Sequence, residues 1–190
     1  MISQNKKSLH NFVYFLTYGI CFIAIGLAGS ALGPTLPSLA EHANVSLAQI
    51  SFLFTATSFG YMIGSVGGGR LFDHLNGHRL MLIALLLMSL SFFLIPLTST
   101  FNLLIAILFL LGLGQGVVDV GGNVNLLWVY KGAVGPYMNA LHFCFGVGAF
   151  LSPIILHNLT NLGGGLIKWA FWVLAILTLP GMFGLGLLPS

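Results

Sequence analysis

Residues 101–130 read FNLLIAILFLLGLGQGVVDVGGNVNLLWVY, thirty positions with a single charged side chain, Asp119. As an α-helix this run is about 45 Å long, and the hydrocarbon core of a bilayer needs only about 20 apolar residues to cross it. A helix that is apolar on every side is either buried inside a large protein or set in lipid. The rest of the chain decides between the two. Its 190 residues carry six Lys and Arg and three Asp and Glu; charged residues make up 5%, hydrophobic residues 57%, and the mean hydropathy is +1.02. Soluble domains carry about 25% charged residues, so this chain cannot cover a water-facing surface and is not a soluble globular enzyme. Nor is it a disordered chain, which would be poor in apolar residues and rich in charge. Its 25 glycines and 16 phenylalanines fit helices packed in lipid.

Working outward from the quoted run, the chain is predicted to be an all-α membrane protein of six transmembrane helices in a single domain. The spans fall at about 12–37, 48–72, 80–97, 101–130, 136–156 and 167–188, with short polar connections between them. The first run is too long for a signal peptide, whose apolar region is only 7–15 residues, so it is expected to remain. Gly33-Pro34 with Pro37 is expected to end or kink the first helix, and Pro153 and Pro180 are candidate kinks in the fifth and sixth. Placing the N-terminus in the cytoplasm puts Lys6, Lys7, Arg70, Arg79 and Lys131 inside and only Lys168 outside, a positive-inside bias that also returns the C-terminus to the cytoplasm. The glycosylation patterns Asn44-Val45-Ser46 and Asn158-Leu159-Thr160 then face outward. The expected location is a plasma membrane or bacterial inner membrane. Gly60, Gly64 and Gly68 share one face of the second span; Gly112 with Gly116, and Gly148 with Ser152, repeat the spacing. Small residues so placed let helix backbones approach closely.

Asp119 is the residue with most to say about function. An ionisable group in the middle of a span is costly and marks a functional site by default. Gln115 and Asn123 flank it at i−4 and i+4, so the three share a helix face. In the fifth span Asn139 and His142 stand one turn apart, and a histidine beside a membrane cavity can carry protons or hydrogen-bond a solute. Gln49, Thr55, Thr57 and Tyr61 on the second span read as packing or end residues. Cys21 and Cys144 sit in apolar runs as small hydrophobes. The basic patch needed for nucleic acid is absent, and six scattered histidines offer no metal cluster. No His-Glu-x-x-His, Gly-x-Ser-x-Gly or Walker pattern occurs, so catalysis has no candidate constellation and the chain is not expected to be an enzyme.

The connection Gly69-Arg70-Leu71-Phe72-Asp73-His74-Leu75-Asn76-Gly77-His78-Arg79 resembles the signature loop of the major facilitator superfamily, Gly-x-x-x-Asp-(Arg/Lys)-x-Gly followed by basic residues. His follows the Asp here, and one extra residue precedes Gly77. The resemblance makes Gly69, Asp73, Gly77 and Arg79 a candidate gating loop, with Asp73 as its helix-capping carboxylate. Gly112-x-Gly114-x-Gly116-x-x-Asp119-x-x-x-Asn123, followed by Leu141-His142-Phe143 and Gly146-x-Gly148-Ala149-x-Leu151-Ser152-Pro153, is similar to the sodium-dependent glucose transporter branch, related to the fucose permeases. Gly33-Pro34-Thr35-Leu36 and Gln49-Ile50-Ser51 fit the same branch. Proton antiporters of the superfamily usually carry an Arg early in the fourth span; none is present, which favours sugar uptake over drug export.

The resemblance implies twelve helices in two halves, each a 3+3 inverted repeat, with substrate held between them. This chain is expected to be one half, needing a C-terminal six-helix half or a second copy of itself. Its trace of the repeat is Phe59-Gly60 and Phe145-Gly146 at similar places in the second and fifth spans. The implied function is alternating-access transport of a small polar solute, a sugar by resemblance, with a sodium ion or proton as coupling ion and no other cofactor. Gln115, Asp119, Asn123, Asn139 and His142 would form the site, Asp119 binding a sugar hydroxyl or the coupling cation. The alternative is a half-length remnant or accessory membrane subunit that does not transport.

Overall fold

A computed structural model of the chain describes residues 2–162 and 167–188, with side chains from Asn11 onward. The side chains of Lys6 and Lys7, and residues 163–165 of the last connection, lie outside the described residues. Among the described residues the regular elements are α1 (Ile2–His42), α2 (Leu47–Ile50), α3 (Phe52–Phe72), α4 (Gly77–Leu94), α5 (Phe101–Tyr130), α6 (Gly135–Leu162) and α7 (Ile167–Leu187), with single 3₁₀ turns at Ile95–Leu97 and Lys131–Ala133. Six segments are long and apolar enough to cross a membrane: Asn11–His42, Leu47–Phe72, Gly77–Leu97, Phe101–Ala133, Gly135–Leu162 and Ile167–Leu187. The fold is all-α, as composition and span length require.

Two helix ends differ from the sequence expectation. Pro34 and Pro37 do not end the first helix, which continues through both to His42. The Thr35 hydroxyl donates to the carbonyls of Ala31 at 2.8 Å and Leu32 at 3.2 Å, one turn back and beside the site of the missing Pro34 N–H. The carbonyls that the prolines leave without an intrahelical donor are those of Ser30 and Gly33, four residues back. Ending the helix here would strand further backbone groups in lipid, so the span runs on. The fifth span runs past 156 to Leu162, so the first part of the expected polar connection is helical. There Asn158 Nδ2 donates to the Ile154 carbonyl at 2.9 Å, and Asn161 pairs with His157 at 3.1 Å, so the polar side chains bond within the helix they extend. A capping box starts the second span: Gln49 N–H donates to Ser46 Oγ at 3.2 Å, and Ser46 N–H to Gln49 Oε1 at 3.1 Å.

Glycines decide which helices touch. α3 packs along α5, and α1 along α6. A Cβ placed at Gly60 would lie 2.9 Å from the Phe109 carbonyl carbon and 3.0 Å from Leu113 N; one at Gly112 would lie 2.8 Å from the Thr57 carbonyl carbon and 3.0 Å from Tyr61 N. The two helices therefore meet backbone to backbone, which no larger residue allows. The α1–α6 contact is built the same way. Gly148 faces Ile23 and Leu27 as Gly60 faces Phe109 and Leu113, and Gly26 faces Phe145 and Ala149 as Gly112 faces Thr57 and Tyr61. One constant step carries Ile23, Gly26 and Leu27 onto Phe109, Gly112 and Leu113, and another carries Thr57, Gly60 and Tyr61 onto Phe145, Gly148 and Ala149. The first and second spans are thus matched by the fourth and fifth, as a 3+3 internal repeat requires. The counterpart of Gly60 is Gly148 and not Gly146, which has no atom within 4 Å of its Cβ position.

α4 lies against α5 and α7, and α1 also touches α5 and α7, so α1 and α5 form the centre. Tyr18, Cys21 and Phe22 of α1, Leu104 and Val118 of α5, Met88 and Phe92 of α4 and Phe171 of α7 are fully buried there. Buried hydroxyls are bonded within the bundle: Ser152 Oγ donates across to the Leu27 carbonyl at 2.8 Å, and Ser91 and Thr178 donate back to their own helices.

Candidate functional site

Because α3 is locked to α5 by glycines, its neighbouring side chains are brought against the polar face of α5. Tyr61 follows Gly60, and its hydroxyl donates to Asp119 Oδ2. From the other side Asn123 Nδ2 donates to Asp119 Oδ1 at 3.1 Å and to the Asp119 backbone carbonyl at 2.9 Å. Both carboxylate oxygens therefore accept hydrogen bonds. The described basic side chains lie elsewhere: Arg70 ends α3, Arg79 and Lys168 begin α4 and α7, and Lys131 follows α5. Hydrogen-bond donors rather than a cation hold Asp119 in place, an arrangement suited to a group that exchanges partners. Ser65, one turn after Tyr61, keeps a buried Oγ with no hydrogen-bond partner among the described residues.

The network opens on a cavity of about 480 Å³ bounded by α1, α3, α4, α5, α6 and α7, within the usual range for small-molecule pockets. Of the sequence-predicted residues, Gln115, Asp119 and His142 line it. Gln115 is 5% exposed and its Nε2 lies 3.4 Å from the Ile25 carbonyl of α1. The His142 ring stands edge-on to Phe22, centroids 5.8 Å apart. Asn123 is not in the lining but supports Asp119 from behind. Asn139 is exposed, one turn nearer the start of α6, and the structure does not bring it to the cavity.

Four lining residues carry chemistry that the sequence reading passed over or set down as packing: Thr57, Ser58 and Tyr61 of α3, and Phe145 of α6. The signal for Tyr61 was its place beside Gly60 in the small-residue stripe, but its register on α5 had to be known before it could be paired with Asp119. The wall follows the internal repeat, since Ile25 and Leu111, Gly29 and Gln115, and Thr57 and Phe145 are counterparts and all line it. Departures from symmetry make it polar: Gln115 stands where the first repeat has Gly29, and Asp119 where it has Gly33.

At the candidate gating loop, Asn76, not Asp73, caps α4, its side chain accepting from Arg79 N–H at 3.2 Å. Asp73 is exposed and closes α3 through its backbone N–H to the Leu71 carbonyl. The extra residue before Gly77 shifts the start of α4 so that Asn76 occupies the cap. Gly77 is closely packed: a Cβ there would lie 3.1 Å from the Phe72 ring and from Asn125 Oδ1, and those side chains would have to shift by a few tenths of an ångström. Gly69 faces Val120 at ordinary contact distance, and Arg79 is exposed. The loop is tied to α1 by a 2.8 Å hydrogen bond between Tyr18 and His78. Among the described residues no group of three His, Cys, Asp or Glu could hold a metal ion.

The family model of the Major Facilitator Superfamily matches residues 18–189. Sodium-dependent glucose transporter 1 of Xenopus laevis is 41% identical over 129 residues, 68% of this chain and 26% of the relative. The Rattus norvegicus protein of the same name is 41% identical over 136 residues, 70% of this chain and 28% of the relative. Major facilitator superfamily domain-containing protein 4B of Danio rerio is 35% identical over 146 residues, 76% of this chain and 27% of the relative. The chain thus spans about a quarter of the length of these relatives.

Proposed function

The chain belongs to the major facilitator superfamily, and from that premise we propose that it is one six-helix unit of a transporter that carries a small polyhydroxylated solute, a hexose in the first instance, across the membrane by alternating access. The observation that carries this reading is the Tyr61–Asp119–Asn123 network at the edge of the 480 Å³ cavity. A carboxylate held only by hydrogen-bond donors can exchange one of them for a sugar hydroxyl, or bind a coupling sodium ion or proton, without breaking an ion pair. Gln115 and His142 add polar groups at the same wall. The names of relatives 37–41% identical point to glucose and to sodium dependence.

Phe54, Tyr61, His142 and Phe145 are exposed although they border the cavity. A second six-helix unit, from the same longer polypeptide or from a second copy, would cover that side and complete the site. A cytoplasmic side for both termini is supported by the basic residues Arg70, Arg79 and Lys131, which this topology puts inside, against Lys168 outside.

The test is uptake of labelled glucose into cells expressing the protein with its second unit, comparing the parent with Asp119→Asn. The variant keeps the shape and removes the charge, so uptake should be lost while the protein reaches the membrane in normal amount. Unchanged uptake by Asp119→Asn would remove Asp119 from the mechanism and leave the reading without its main support.

A further inference from the structure

Outside the cavity that holds Asp119, the unit carries a second hollow. It is a groove of about 400 Å³ between α4 and α7, walled by Leu86, Leu90, Phe93, Trp172, Ile176 and Leu179, and it shares no lining residue with the cavity. Leu86, Leu90, Phe93 and Ile176 are exposed, so the groove opens outward from the bundle. Its polar side-chain atoms are already paired. Ser89 Oγ donates to the Ala175 carbonyl at 3.0 Å, and Trp172 Nε1 donates to the Phe93 carbonyl at 3.3 Å. With both donors used, the walls offer little to a polar solute and suit a hydrocarbon chain.

One end of the groove is built differently. Trp172 stacks on Phe93, ring centroids 5.6 Å apart and planes 17° from parallel. Trp169 meets Trp172 edge-on at 5.4 Å, and the Lys168 ammonium lies 5.3 Å from the Trp169 ring centroid. Apolar groove, indole pair and ammonium thus follow one another in a row. A phospholipid presents matching chemistry in the same order: acyl chain, glycerol at the membrane interface, and phosphate. Lys168 is the one Lys or Arg at this end of the bundle, and among the described residues it pairs with no carboxylate. The proposed second unit would cover exposed residues of α3 and α6, none of which belongs to the groove. We propose that the α4–α7 groove binds one phospholipid with a net negative headgroup, its acyl chain between the helices and its phosphate on Lys168. This site does not depend on what the cavity transports.

Tryptophan quenching by lipids brominated on the acyl chain tests it, with the purified protein in phosphatidylcholine bilayers. A Trp128→Phe background removes the indole near Lys131 and leaves Trp169 and Trp172 to report. Brominated phosphatidylglycerol should reach half-maximal quenching at a mole fraction about 5-fold lower than brominated phosphatidylcholine, the factor that one lysine near the surface contributes toward an anionic lipid. Lys168→Gln should abolish this preference and Lys168→Arg should keep it. Leu86→Phe with Leu90→Phe, which narrows the groove and leaves Lys168 in place, should also abolish it. Thermal melting shows that each variant is folded. Equal quenching by the two lipids in the parent overturns the proposal, as does a preference that survives Lys168→Gln or the narrowed groove. If neither lipid quenches and the particle has twice the monomer mass, a second copy covers this face and the lipid site is refuted.

Discussion

Gly112→Ala is the most direct test of how the fold positions the site. A methyl group at 112 would stand 2.8 Å from the Thr57 carbonyl carbon and 3.0 Å from Tyr61 N. The Thr57 carbonyl oxygen lies closer still, and non-bonded heavy atoms settle at about 3.5–4.0 Å, so α3 and α5 must separate by more than ~1 Å or bend. The neighbours are backbone atoms of a helix and cannot rotate aside. Overpacking of this kind costs about 1–3 kcal/mol; at about 2–4 °C per kcal/mol for a chain of this size, the melting temperature should fall by about 2–12 °C. Tyr61 bonds Asp119 from the same stretch of α3, so ligand binding should weaken as well. The control is Gly67→Ala on α3, where nothing lies within 4 Å of the added methyl; it should melt at or above the parent temperature, since Ala is favoured over Gly in a helix by about 0.5–1 kcal/mol. Melting of the purified protein in detergent, followed by tryptophan fluorescence, reads all three. If Gly112→Ala melts with the parent, α3 and α5 are not held by backbone contact at this glycine, and the account of how Tyr61 reaches Asp119 fails.

Two further outcomes follow from the hydrogen bonds. Tyr61→Phe removes one donor from the Asp119 carboxylate; a hydrogen bond to a charged group is worth about 1.5–3 kcal/mol, so glucose uptake should drop by an order of magnitude or more with little change in surface expression, and parental uptake would show that Tyr61 only packs. Asn76→Ala should lower the melting temperature by a few degrees through loss of an N-cap worth about 1 kcal/mol, while Asp73→Asn should leave melting unchanged; the reverse order would restore Asp73 as the capping residue.

The local signals were strong where lipid imposes the rule. Six apolar runs separated by short polar connections define six helices because an unpaired backbone cannot sit in hydrocarbon. The same rule bears on Pro34 and Pro37, where sequence analysis expects the helix to end or kink: it does not end there but runs on to His42. Asp119 with Asn123 was legible because residues four apart on a helix are neighbours, and their bond lies within α5. Asn139 looked equivalent to His142, but a step of one turn along α6 moves a side chain far enough to leave the cavity.

By itself the sequence determined the membrane setting, the number of spans, the small-residue stripes and one carboxylate in the middle of a span, since each follows from composition or from spacing along a single helix. Tertiary structure alone decided that Tyr61 meets Asp119, that Gln115 lies beside Gly29, that Phe145 joins the cavity wall and that Gly148 is the counterpart of Gly60. Each of these is a relation between two helices. A stripe of glycines shows that a backbone can approach there, but which helix approaches, and at what register, is settled only when both surfaces interlock.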